Sequence, residues 1–106
     1  MTTDYFHKSL APRRTSKHWI QWRNQRSGFI LKCRMAGKTF SEIGELCGLT
    51  RERIRQIEIK YLRGATLLSH RGVPHLWEKG TKYLAEENGL DQELVKYHIL
   101  SVFRSR

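Results

Sequence analysis

The chain has 106 residues, with twenty Lys and Arg against ten Asp and Glu and a formal net charge of +10, enough for one small domain and a tail. At 39% hydrophobic residues, with three Trp, four Tyr and four Phe, it is expected to fold rather than stay disordered. No membrane span is expected, since no apolar run approaches the ~20 residues required; no secretory signal is expected, since residues 1–17 hold no apolar segment; and no disulfide scaffold is expected, since Cys33 and Cys47 stand alone.

A cytoplasmic protein is therefore expected. The two cysteines and five histidines show no zinc-ligand spacing, so no metal or other cofactor is expected, and both cysteines read as small buried apolar residues. Charge of this density suits a polyanionic partner, because neutralised phosphates release condensed counterions. An acidic protein or a membrane surface fits the charge as well.

In chain order, residues 1–18 carry +3 and include APRRTSK, polar and aperiodic, and are expected to form a flexible basic arm. Residues 19–39 carry +5. There Trp19, Trp22, Phe29, Ile30, Cys33 and Ala36 recur at helical spacing, with Ser27 and Gly28 as a break. Arg23, Arg26, Lys32 and Arg34 are assigned to the outer face, and Gly37 to the helix end. Trp19 and Trp22 suit a core, although aromatics among basic residues also fit stacking on bases.

A short helix capped by Ser41 follows, its inner face made by Ile43, Leu46 and Cys47. After a turn at Gly48, Thr50 caps a helix from Arg51 to about Arg63, ended by Gly64. Ile54, Ile57, Tyr61 and Leu62 fall on one side of it; Arg51, Glu52, Arg55, Gln56, Ile59 and Arg63 fall on the other. Short helix, glycine turn and polar second helix make a helix-turn-helix sized for the major groove. Arg suits guanine, Gln adenine, and Glu the cytosine amino group. An exposed, salt-bridged helix face fits the same spacing.

The stretch FILKCRMAGKTFSEIGELCGLTRERIRQIEIKYLRG, from Phe29 to Gly64, resembles region 4 of bacterial primary sigma factors, which reads the promoter −35 element; TRERIRQIE is its most specific part. The resemblance implies base contacts by Arg51, Glu52, Arg55 and Gln56. Backbone contacts are expected from Arg23, Arg26, Lys38, Thr50, Arg53, Lys60 and Arg63. The segment Phe29 to Met35 resembles the part that packs on the RNA polymerase β flap, which makes a flap-binding mimic the second reading. Ile59 and Tyr61 stand where the family usually has small residues. The chain is far too short for the other sigma regions, and its size suits a phage-encoded regulator.

After Gly64 a connector is expected through Trp77, then two helices around Gly89. Ile43, Gly44, Glu45, Gly48, Leu49, Glu52, Ile54 and Arg55 align forty-one residues later with Leu84, Ala85, Glu86, Gly89, Leu90, Glu93, Val95 and Lys96. Residues 65–106 thus read as a C-terminal helical extension, either a degenerate second helix-turn-helix or a homodimer element. Acidic residues at the start of its last helix oppose phosphate binding. No nucleophile with an orienting base appears, so catalysis is not expected. His70, His75 and His98 stand isolated. The chain is expected to be all-α, a small helix-turn-helix domain, residues 19–64, followed by a helical pair.

Overall fold

Turns closed by Gly37, Gly48 and Gly89, each at positive φ, separate three of the successive helix pairs. The computed structural model describes residues 6–66 and 74–104; for residues 65, 66, 74–77 and 104 it describes the backbone alone. A 3-10 turn, Lys8–Leu10, precedes α1 (Trp19–Met35), α2 (Phe40–Cys47), α3 (Arg51–Thr66), α4 (Pro74–Asn88) and α5 (Gln92–Arg104). No strand occurs among the described residues, as expected of an all-α chain. Residues 67–73, with His70 and most of the expected connector, lie outside the described residues.

Helix α1 runs through Ser27 and Gly28 without the expected break. The Ser27 hydroxyl donates to the Arg23 carbonyl at 3.1 Å, so its polar group is satisfied within the helix. The helix ends as glycine dictates: Gly37 sits at φ 96, Lys38 N donates to Cys33 O, and Gly37 N donates to Arg34 O, both at 3.0 Å. This is the Schellman pairing, which satisfies two of the last carbonyls.

Helix α2 is capped by Thr39, not by the expected Ser41. Thr39 has the extended backbone a cap needs, its Oγ1 accepts from Glu42 N at 3.1 Å, and Glu42 Oε1 accepts from Thr39 N at 2.8 Å. The pair forms a full capping box. Helix α3 continues past Gly64 to Thr66. Helix α4 begins at Pro74, inside the expected connector; proline suits a first helical position because its φ is preset and its missing N–H is not needed there.

The chain packs as two compact units, Met1–Glu58 and Ile59–Arg106, divided inside α3. In the first, Ile30, Cys33, Ile43, Cys47, Ile54 and Ile57 form the core, with Phe29, Phe40 and Leu49 against it. Leu31 is buried too, although it was not among the expected inner residues. The start of the chain is not wholly a free arm: the Phe6 ring packs on Trp22 and Phe29, with centroids 6.0 and 5.3 Å apart. In the second unit Leu62, Thr81, Leu84, Ala85, Val95 and Ile99 are buried.

Candidate nucleic-acid interface

The turn between α2 and α3 is built from backbone. Gly48 takes φ 68, Leu49 N donates to Gly44 O at 2.9 Å, and a Cβ on Gly44 would lie 2.5 Å from Leu49 O. No other residue fits that position without moving the turn. Thr50 Oγ1 then accepts from Arg53 N at 3.1 Å and starts α3, so its hydroxyl serves as a cap.

Ile54 and Ile57 anchor α3 in the core, which turns Arg51, Glu52, Arg53, Arg55 and Gln56 to solvent. Three of these side chains are already joined. Arg55 Nε and Nη2 donate to the two Glu52 carboxylate oxygens at 3.0 and 2.6 Å, and Gln56 Nε2 donates to Glu52 Oε2 at 3.4 Å. The Arg55 hydrogen bonds hold the Glu52 carboxyl below its usual range, so it stays an ionised acceptor at neutral pH. The same pairing raises the Arg55 pKa and leaves Nη1 outside the pair. Fixing these rotamers in advance lowers the ordering cost of docking.

One face of the first unit concentrates arginine. Arg26, expected on the outer face, is 7% exposed, with its guanidinium 5.1 Å over the Trp22 ring and no hydrogen-bond partner at Nε. Burial lowers its pKa, and the charges of Arg53, Arg23 and Arg14 lower it further. Trp19 and Trp22 stack at 5.8 Å, half-buried and partnered by protein. Arg23, Lys38 and Arg53 are exposed; Lys60 and Arg63, also exposed, lie further along α3 beyond the unit boundary.

Arg34 was expected outside. It is half-buried, with Nε 3.4 Å from Oε2 of Glu58, which is 1% exposed, its guanidinium carbon 4.1 Å from the Phe40 ring centroid, and Nη1 donating to Lys38 O at 3.1 Å. This ion pair joins α1 to α3 behind the exposed row. Glu58 carried a usable signal, because it stands four residues after Ile54 on the apolar face. Both cysteines are free and buried as expected; burial pushes the Cys47 thiol up to about 11, far from a reactive thiolate.

A helix-turn-helix with an exposed Arg, Glu and Gln row is the class this geometry defines. Residues 25–63 match the family model for sigma-70, region 4, spanning the second half of α1, all of α2 and most of α3. The match supports a DNA-binding, transcription-related role for this segment. No curated protein and no solved structure matches the chain significantly. No helix among the described residues is long and apolar enough to cross a membrane.

Proposed function

We propose that the protein is a sequence-specific transcription regulator that lays α3 in the major groove of duplex DNA. The observation that supports this best is the exposed row of Arg51, Glu52, Arg55 and Gln56, three of them hydrogen-bonded together, inside the region 4 match. Arginine and glutamine suit guanine and adenine edges, and Glu52 is an acceptor for a cytosine amino group. Arg23, Lys38 and Arg53, with Thr50 at the start of α3, take the phosphate backbone, and Lys60 and Arg63 extend that role along α3; Arg26, buried over Trp22, adds charge to this face without reaching a phosphate itself.

The alternative, docking on the RNA polymerase flap through Phe29 to Met35, has less support: Ile30, Leu31 and Cys33 are buried in the protein's own fold, and Phe6 packs on Phe29. Duplex binding by variants separates base reading from phosphate binding. Arg55→Ala and Gln56→Ala are expected to relax preference at one or two base pairs, by ~1 to 3 kcal/mol each. Arg23→Ala is expected to weaken preferred and random duplex alike and to flatten the salt dependence by about one unit of slope. Equal losses on both duplexes for every variant contradict the proposal.

A further inference from the structure

The turn of the first helix pair recurs in the second. Leu49 N donates to Gly44 O at 2.9 Å, and Leu90 N donates to Ala85 O at 2.8 Å. Gly48 and Gly89 hold φ 68 and 64. Thr50 Oγ1 accepts from Arg53 N at 3.1 Å, and Asp91 Oδ2 accepts from Leu94 N at 3.2 Å. Ile43 and Leu84 are buried at matched positions, as are Ile54 and Val95. The α4–α5 pair thus repeats the turn geometry of α2–α3 at the forty-one-residue offset.

Its outer helix carries different chemistry. At the positions of Arg51 and Arg55 stand Gln92 and Lys96, and both are bonded to α4: Gln92 Nε2 to Thr81 Oγ1 at 3.1 Å, and Lys96 Nζ to the Glu78 carboxylate at 2.6 and 2.8 Å. What α5 exposes instead is Leu94 at 58%, Tyr97 at 71% and Leu100 at 45%. The charge is segregated to match. Residues 6–58 hold twelve Lys and Arg against four Glu, whereas residues 74–104 hold four against five Asp and Glu.

We propose that this α5 face pairs with the same face of a second copy of the chain. The exposed residues are palindromic about Tyr97, with a leucine three residues before it and another three after. An antiparallel, two-fold crossing at Tyr97 places the two tyrosines together and sets Leu94 of each chain against Leu100 of the other. Glu93 then faces Ser101, so no like charges meet. The first unit, at a net +8 over residues 6–58, repels its own copy; the near-neutral second unit does not. The pairing stands independently of DNA binding.

Sedimentation equilibrium of the whole chain at near-physiological salt, from micromolar to hundreds of micromolar protein, tests it. The expected result is a monomer–dimer equilibrium, weakened about tenfold or more by Tyr97→Lys and unchanged by Ile20→Lys, an exposed apolar position in the first unit. Leu94→Glu and Leu100→Lys each weaken association alone, while their mixture restores it, because the introduced carboxylate of one chain faces the introduced ammonium of the other. A wild-type chain that stays monomeric, or Tyr97→Lys associating as tightly as wild type, overturns the pairing; a mixture no better than its components overturns the antiparallel arrangement.

Discussion

Glu58 and Arg34 show how one buried pair orients a surface. Glu58 sits among the isoleucines that anchor α3, and Arg34 reaches it from α1 while covering Phe40. Taking away one partner leaves the other charge in a poorly solvated place, which costs more than the pair contributes. Glu58→Ala is therefore expected to lose about 3 kcal/mol of stability, measured as a lower midpoint in urea with an unchanged slope. A loss as small as that of an exposed salt bridge, under ~1 kcal/mol, contradicts this role. Cys33 and Cys47 were legible as buried from their apolar neighbours. Arg26 and Arg34 were not, because helical spacing assigns a side and cannot show that a long side chain folds back over an aromatic ring.

Caps and turns decide the elements. The helix-turn-helix was readable because Gly48, Thr50 and the isoleucine spacing act locally, and the structure places them as expected. The Thr39–Glu42 box was equally local, yet Ser41 is also a good cap residue, and the choice rests on the extended backbone that the Schellman turn at Gly37 imposes just before. Glu42 makes the box pH-dependent. Its hydrogen bonds from Thr39 hold its pKa below the ordinary value, so its contribution is present above the unfolded-state pKa and is lost as pH falls through the folded-state value. Thr39→Ala is expected to cost about 1 kcal/mol at neutral pH, and Glu42→Gln, which removes the titrating carboxyl, to flatten acid destabilisation in the carboxylate range. Parallel stability–pH curves for Glu42→Gln and wild type contradict this.

Across the molecule, the α2–α3 and α4–α5 pairs are closed by turns of matching geometry and divide the chemistry. The first unit holds the positive charge and the exposed Arg, Glu and Gln row; the second turns its cations toward α4 and exposes leucine and tyrosine. The division inside α3 was hidden in the sequence, since nothing in a continuous helix marks where its packing changes units. The forty-one-residue repeat was visible, but whether its polar residues point outward or inward is a matter of packing. The most direct test of the account is selection of bound sequences from a random duplex library at near-physiological salt, where the nonspecific phosphate contribution is not inflated. Enrichment of a short motif by the wild-type chain, degraded at defined positions by Arg55→Ala and Gln56→Ala, is the predicted result; no enrichment, or a motif that survives both substitutions intact, contradicts base reading by α3.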